Sequence, residues 1–508
     1  MDYFNKYKYK IKKKNELKKI LKKKKQKTIL CHGVFDVVHP GHVRHLAHAK
    51  TKGDILIVSL TADKYIKKGV YRPHVPESLR ALNLSAFEMV DFVVIDRNDK
   101  ANKILLSLKP DFYAKGFEYS AKGLPPATKS EIAVVKSYGG KMFFSPGDYV
   151  YSSSKFLQNS LPRLSLEKLH VLIQNNKLDF DKIKNNFDNF KKINVHIIGD
   201  TIIDTYTRTN FIGGQTKTPT FSLLKQKEDN FIGGAAIVAQ HLKAAGAKVT
   251  FTTVMGNDEL QKFAVRELKK QNIKLNTIID PLRPTTNKNT IATGIYKLLK
   301  LDTLDNTPVN SDIQKKISHF ISKTKTDIVI FSDFRHGIFN KQSVPEYTKS
   351  IPKRAFKAAD SQVASRWGNI LEFKNFDLIT PNEREARFAL ADQDSPIGAL
   401  SHLIKLKSKT KNLILKLGDK GIFCTSNKRS NNYFSLDSFA INVVDAVGAG
   451  DALLAYSALS LFCSNSLPMS ALIGSIAAAI ECEVDGNIPI EVEKIIKKIN
   501  LIEKQLKI

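Results

Sequence analysis

The chain of 508 residues is short of cysteine, of arginine and of long apolar runs, and each shortage excludes something. Its four cysteines, Cys31, Cys424, Cys463 and Cys482, are scattered without the paired spacing of a zinc site. They are too few to staple a chain of this length, and read as reduced thiols. No apolar run approaches the roughly 18 residues of a membrane span, and the lysine-rich start lacks the apolar segment of a secretory signal. The expectation is a soluble, cytoplasmic protein without membrane insertion. Net charge is +31, yet the excess is lysine rather than arginine, and it is spread over the whole length. Residues 1–27 carry 13 lysines against Asp2 and Glu16, so +11 lies in one short tail and +20 is shared by the rest. A diffuse lysine bias argues against specific nucleic-acid recognition, which gathers its cations on one face. The same field draws in anionic small molecules such as sugar phosphates and nucleotides.

What is present is enough for large cores: 42% of the residues are hydrophobic, and the length fits roughly two to four domains at about 150 residues each. A basic arm over residues 1–26 gives way to short apolar strands at 28–31, 54–60, 92–95, 111–114 and 141–144, separated by helical stretches at 40–49, 77–87, 102–108 and 130–138. That alternation predicts a parallel, doubly wound α/β domain over 27–160. Residues 161–190 are rich in lysine and asparagine and read as a linker. A second alternation fills 191–508, with clear strands at 193–198, 248–254, 327–332, 378–380, 412–416 and 439–444. Alternating patterns within 209–225 and 290–302 predict extra strands outside the main sheet, forming a lid.

Two stretches carry the chemistry. The first follows the first strand: Gly33, Phe35 and Asp36, then His39-Pro40-Gly41-His42 opening a helix. Two histidines at a helix N-terminus offer N–H donors beside unpaired backbone amides, which suits a triphosphate and charge growing on its α-phosphate. A metal pair is the competing chemistry, but no third ligand stands at suitable spacing. The second stretch is Asp445-Ala446-Val447-Gly448-Ala449-Gly450-Asp451, between the strand expected at 439–444 and an apolar helix. Gly448 and Gly450 let backbone approach an anion, and Asp451 falls in the first helical turn. An ordinary turn with a helix-terminal carboxylate is the plain alternative.

With Lys68, Gly69, Arg72, Pro73, Arg80, Lys115, Gly116 and the cluster Ser152, Ser153, Ser154, the first stretch resembles the cytidylyltransferase-like nucleotidyltransferases. The resemblance implies a Rossmann-like domain in which His39, His42, Lys115, Ser153 and Ser154, with the Gly33-Phe35-Asp36 strand end, hold a nucleoside triphosphate. Attack of a sugar-1-phosphate on the α-phosphorus would release pyrophosphate, with Mg²⁺ screening the charge.

Before the second stretch come Asp200 and Asp204 after a strand, the Gly233-Gly234 turn, Asn382 and Glu385 at a helix start, and the Leu417-Gly418 turn. In that order they resemble the ribokinase-like (PfkB) sugar kinases. The resemblance implies that Asp451 is the base taking the sugar hydroxyl proton. Gly448, Ala449 and Gly450 would supply amides to the γ-phosphate of ATP, while Asp204, Gly233 and Gly234 bind the sugar. Asn382 and Glu385 would orient water on nucleotide-bound Mg²⁺, with no side chain as a direct metal ligand. Two departures stand out: Ala446 where relatives carry Thr, and Ile237 where they carry an Asn that touches the sugar.

The fusion, with Ser332, Asp333, Phe334, His336-Gly337 and Arg283-Pro284-Thr285, resembles the bifunctional ADP-heptose synthases, although here the transferase half comes first. It implies a two-site enzyme of nucleotide-sugar synthesis for surface polysaccharide such as lipopolysaccharide, phosphorylating a heptose-7-phosphate-like sugar and then transferring nucleotide from ATP. CTP with a different sugar or polyol, and a degenerate kinase half that only binds nucleotide, stay open. A homodimer through the lid strands is the expected assembly.

Overall fold

The computed structural model describes residues 6–22, 26–66, 72–116, 125–145, 165–213, 220–363, 366–426, 433–484 and 486–506. Two compact units result, Met1–Leu164 with Asp394–Ala399, and Ser165–Gln393 with Leu400–Ile508.

The first unit runs α1 (Lys14–Lys22), β1 (Thr28–Gly33), α2 (Pro40–Lys50), β2 (Ile55–Thr61), α3 (Glu77–Ser85), β3 (Phe92–Asp96), α4 (Asn102–Leu108), β4 (Phe112–Gly116), α5 (Pro126–Ser137) and β5 (Lys141–Ser145). The strands form one parallel sheet in the order β3-β2-β1-β4-β5. Ile29 and Cys31 enter one buried cluster, while Leu30 between them enters another. This is the period of two of a strand covered on both faces, which is why these segments read as unbroken apolar runs. Strand order reverses between β1 and β4, so the crevice beyond their carboxyl ends, at Gly33 and Gly116, is where a ligand belongs in such a sheet.

The basic arm is more than a solvated charge run. Leu17 on α1 is fully buried in the cluster that holds Leu30, Ile57 and Ile104. Ile11 bridges to Val93, and the Lys12 backbone donates to Val93 O at 2.9 Å. A helix with one apolar stripe and a lysine face buries the stripe whatever its net charge.

The second unit begins with α6 (Ser165–Asn176) and α7 (Phe180–Asn185), so the stretch that reads as a linker is helical, and its Leu169, Leu172 and Ile183 are buried in this unit's main core. There follow β6 (Asn194–Gly199), β7 (Thr201–Gly213), β8 (Ser222–Gly234), α8 (Ala235–Ala244), β9 (Lys248–Met255), α9 (Glu259–Lys270), β10 (Lys274–Ile279), β11 (Thr286–Thr293), β12 (Tyr296–Thr303), α10 (Ser311–Lys323), β13 (Ile328–Asp333), α11 (Ser343–Ser350), β14 (Phe356–Ser361) and β15 (Leu378–Ile379). The unit closes with α12 (Glu383–Leu390), α13 (Ile397–Ser408), β16 (Asn412–Lys416), β17 (Ile422–Ser426), β18 (Tyr433–Leu436), α14 (Ala449–Ser464), α15 (Leu467–Cys482) and α16 (Val492–Leu506).

A nine-stranded sheet, β10-β9-β6-β13-β14-β15-β16-β17-β18, is parallel up to β16 and turns antiparallel at its last two pairings. A separate sheet, β12-β11-β7-β8, is the lid that the alternating segments predict. The α14–α15 pair is apolar almost all round and buried, as a central helix pair must be.

One expected strand is absent. Residues 439–444, all described, form an irregular segment in which Ile441, Val443 and Val444 are 81%, 64% and 61% exposed. β18 has already closed the sheet edge at Leu436, and the segment instead sends Val444 N–H to Cys482 O, at the end of α15, at 2.8 Å. β-branched composition without a neighbouring strand to pair with does not make a strand. No helix among the described residues is long and apolar enough to cross a membrane.

Candidate active sites

In the first unit the site is built on the start of α2. His39 is the N-cap, its Nδ1 accepting from Gly41 N–H at 3.1 Å, and His42 Nδ1 accepts from His39 N–H at 3.4 Å. The two rings lie 3.9 Å apart, and Phe35 packs on His42 at 5.2 Å. Phe35 holds its place with a left-handed backbone at φ 50°, a conformation that is strained for a bulky side chain. A Cβ on Gly41 would stand 2.9 Å from His39 Cε1, so glycine is what lets the imidazole fold over the helix start.

Burial pushes His42 down to about 4, helped by His39 and His45. His45 is pushed to about 4 by burial and then His48, and its Nδ1 meets Ser145 Oγ at 2.8 Å. His32, between Ser59 Oγ and Thr61 Oγ1, is likewise held at about 4 by burial and then Lys115. At neutral pH these imidazoles are uncharged.

Other residues of the motif brace the site. Asp36 Oδ1 accepts from Val75 N–H at 2.9 Å and Oδ2 faces Arg72 Nε at 4.0 Å, so its carboxylate anchors the 72–75 segment. Arg80 is fully buried and donates to the carbonyls of Val75, Val34 and Thr61 and to Asp63, tying the strand-end loops together. Lys115 is buried, paired with Glu131 and donating to Thr128 Oγ1 at 3.1 Å, so it lies along α5 rather than free in the crevice. Gly33 ends β1, where a Cβ would press on the Phe35 ring at 3.1 Å. Ser153 and Ser154, with Lys68 and Gly69, lie outside the described residues.

In the second unit the site gathers at the start of α14. Gly448 is its N-cap at φ 84°, and a Cβ there would stand 2.3 Å from Asn487 Oδ1 and 3.0 Å from Glu481 Oε1. The amides of Ala449 and Gly450 open the helix without an intrahelical acceptor. Asp451 N–H turns back to Gly448 O at 2.9 Å, and the Asp451 carboxyl is buried. Burial raises it well above the ordinary carboxylate range, Asp360, Asp204 and Glu481 reinforce this, and Lys416 opposes it. Lys416 Nζ holds both oxygens of Asp360 at 2.8 and 3.1 Å.

Asp204, on β7, accepts from Asn487 Nδ2 at 3.0 Å and is pushed up to about 6 by burial, with Lys288 and Lys300 opposing. Gly233 pairs beside it, and any Cβ there would sit 2.2 Å from Asp204 Oδ2. Gly234, at φ 64°, caps α8.

A match to the family described as pfkB family carbohydrate kinase spans residues 192–494, more than half of the chain. The chain belongs to the pfkB carbohydrate kinase family. A second match, to the cytidylyltransferase-like family, covers residues 30–158, so a cytidylyltransferase-like domain precedes the pfkB kinase domain. Among relatives, the bifunctional protein HldE of Geobacter metallireducens is 24% identical over 301 residues, 58% of this chain and 60% of its own. The protein of that name from Helicobacter hepaticus is 26% identical over 300 residues, 57% and 60% of the two chains. That from Campylobacter jejuni subsp. doylei is 46% identical over 115 residues, 22% and 25%. The chain thus spans less than two thirds of the length of these curated relatives. Phosphofructokinase-2 from Escherichia coli superposes with a TM-score of 0.52 at 16% identity, covering 61% of this chain and 99% of that one, a likeness of fold.

Within the pfkB domain the structure brings Asp204, Gly233, Gly448, Glu385 and Asp451 toward one charged cluster. Asn382 and Glu385 form a reciprocal cap on α12: Glu385 N–H donates to Asn382 Oδ1 at 2.8 Å, and Asn382 N–H and Nδ2 donate to the Glu385 carboxylate at 2.7 and 2.6 Å. Glu385 is pushed up to about 7 by burial, with Asp360 adding and Lys416 opposing. Ile237 is fully buried in α8. Sequence reading missed Lys416, Asp360, Glu481 and Asn487. Lys416 and Asp360 each stand at or beside the carboxyl end of a strand, β16 and β14, which is the one signal that marks them.

Proposed function

We propose that the chain is a two-site enzyme of nucleotide-sugar synthesis. Its pfkB domain phosphorylates a sugar, of the heptose-7-phosphate kind, with ATP. Its transferase domain moves a nucleotide, from ATP in the first place, onto a sugar-1-phosphate and releases pyrophosphate. The observation that carries the reading is the buried Asp451 at a left-handed glycine turn, with the Asp204–Gly233 pair in the same electrostatic cluster.

In the kinase step Asp451 takes the proton of the attacking sugar hydroxyl. Its carboxyl, set among Asp360, Asp204 and Glu481, has a strong affinity for that proton, and Lys416 keeps the ionised form accessible. Asp204 orients the sugar hydroxyls. The opening amides of α14 receive charge developing on the transferred phosphoryl group. Mg²⁺ bound to the nucleotide would screen phosphate charge. Each Glu385 oxygen accepts one hydrogen bond and keeps a lone pair for a water on that ion. In the transferase step His39 and His42, their rings tilted 3.9 Å apart at the start of α2, donate to the triphosphate. The protein's part there is positioning and neutralisation.

One observation favours a different sugar or polyol, with CTP in the transferase site as its companion: Ile237, fully buried, presents no polar group after the double glycine. A kinase half that binds nucleotide without turnover is the remaining alternative. Mass spectrometry of products from a sugar-phosphate panel with ATP and with CTP tests all three. Phosphorylated sugar and a nucleotide-sugar formed with ATP are expected. Consumption of CTP alone sinks the ATP reading, and no phosphorylated sugar from any member sinks the kinase reading.

For assembly, a homodimer through the lid is supported by the apolar residues that sheet leaves exposed, among them Tyr296 at 68%, Leu301 at 55% and Leu224 at 53%. Sedimentation of the full chain and of Leu301→Lys should give a dimer and a shift toward monomer.

A further inference from the structure

Behind the Gly448 turn lie two buried acceptors with nothing to accept from. Glu481, in the last turn of α15, is 1% exposed, and neither carboxylate oxygen meets a donor in hydrogen-bonding geometry among the described residues. The Ile488 backbone N–H approaches it without closing such a bond. Asn487 Oδ1 is the second orphan. Both converge on the point a Gly448 Cβ would occupy, Asn487 Oδ1 at 2.3 Å and Glu481 Oε1 at 3.0 Å. The other end of the same amide is engaged, since Asn487 Nδ2 donates to Asp204 Oδ2 at 3.0 Å.

Two facing acceptors repel unless one carries a proton, and an orphaned buried acceptor costs about 1–3 kcal/mol. Of the two, only a carboxyl can take one up near neutrality. We infer that Glu481 is a positioning residue of the kinase site: as the protonated acid it donates to Asn487 Oδ1, fixing the amide so that its Nδ2 holds Asp204 against the sugar. The inference rests on the reading of Asp204 as the sugar-binding carboxylate.

The groups facing Glu481 agree with a proton there. Asp445 on the approach to the turn and Asp451 on α14 are acidic, and Lys494 on α16 is the opposing cation. Cys482, its chain neighbour, is itself raised by burial and Glu481. Burial first, and Asp445 after it, push Glu481 up to about 7. Above that pH the ionised carboxylate attracts the amide N–H₂ instead. Asn487 then turns over and withdraws its hydrogen bond from Asp204.

The test uses the full chain with heptose 7-phosphate as the sugar probe. In the wild type the KM for the sugar should rise roughly three- to tenfold between about pH 6 and pH 8.5, the size of one lost hydrogen bond, while the KM for ATP stays level. Glu481→Gln, whose amide donates at every pH, should keep the sugar KM low and flat. Glu481→Ala should raise it at both pH values, so that Gln rescues what Ala loses. Infrared difference spectra of wild type against Glu481→Gln should show a protonated-carboxyl band at pH 6 that fades by pH 8.5. That measurement needs no turnover, so a wild type inactive on this sugar counts against the proposed activity and leaves the infrared result to decide the proton. Absence of the band at pH 6, or a Glu481→Gln variant that follows the wild-type rise in KM, overturns the inference.

Discussion

The helix starts at His39–His42 and at Gly448–Asp451 use one backbone device with opposite side-chain chemistry. Both place a glycine in the turn that opens a helix, and both bury titratable side chains beside it. At the first, burial strips charge from imidazoles, so His42 and His45 sit near 4 and are neutral donors at physiological pH. At the second, the same burial drives protons onto carboxyls, and Asp451 is raised further by Asp360, Asp204 and Glu481. Burial disfavours the charged form of either group. What differs is the consequence: an imidazole left neutral as a donor suited to a triphosphate, or a carboxyl whose ionised form, kept accessible by Lys416, is a strong acceptor for a hydroxyl proton.

The largest effect that would break this contrast is on Asp451. Asp451→Asn should lower kinase kcat by about 10²–10⁴, the usual weight of a general base, with pyrophosphate release at the transferase site unchanged in the same preparation. Loss of both activities together would show that the carboxyl is structural. His42→Ala should do the converse, cutting pyrophosphate release by about 10²–10³ and leaving sugar phosphorylation within twofold.

Gly448→Ala puts a side chain at φ 84° against Asn487 and Glu481. It should destabilise the pfkB unit by about 1–3 kcal/mol, visible as a lowered melting transition, whereas Gly139→Ala, at φ 83° with open space around it, isolates the backbone share of the cost.

The smallest effect concerns pH. His32, His42 and His45 have folded values below the ordinary 6.5, so they bind fewer protons folded than unfolded. Their contribution to stability is complete above about 6.5 and is lost as pH falls towards about 4. Asp63, raised to about 6 by burial, acts in the opposite sense and trims the effect. The protection of the β1 and α2 amides against hydrogen exchange, relative to their intrinsic rates at each pH, should fall by about tenfold or more on acidification through that window. Unchanged protection would mean that these imidazoles are more solvated than their burial implies.

Much of the architecture was legible because it depends on local pattern. Short unbroken apolar runs marked β1, β2 and β3, whose two faces are both covered, and alternating segments marked the lid, since side chains on a strand must choose a face within a few residues. Reading failed where the outcome depended on what lay alongside. Residues 439–444 have strand composition but no strand beside them. The basic arm and the lysine-rich connector concealed apolar stripes, Leu17 in one and Leu169, Leu172 and Ile183 in the other, which bury once a surface is offered.

The candidate sites divide the same way. The glycine spacings, Asp451 and the His39–His42 pair stand out in the chain itself, because a left-handed turn or an open helix start needs particular residues at adjacent positions. Asp36, Arg80 and Lys115 were legible as motif members, but only the folded chain assigned Asp36 and Arg80 to bracing loops and Lys115 to an ion pair along α5. Lys416 with Asp360, and Glu481 with Asn487, carry no local signature. They meet Asp451 and Asp204 because strand ends and helix ends converge there. The sequence by itself determined the two α/β domains and the two glycine turns that open α2 and α14. The electrostatic environment that makes one turn neutral and the other proton-seeking was decided by tertiary structure, because burial and long-range charge are properties of neighbours rather than of residues.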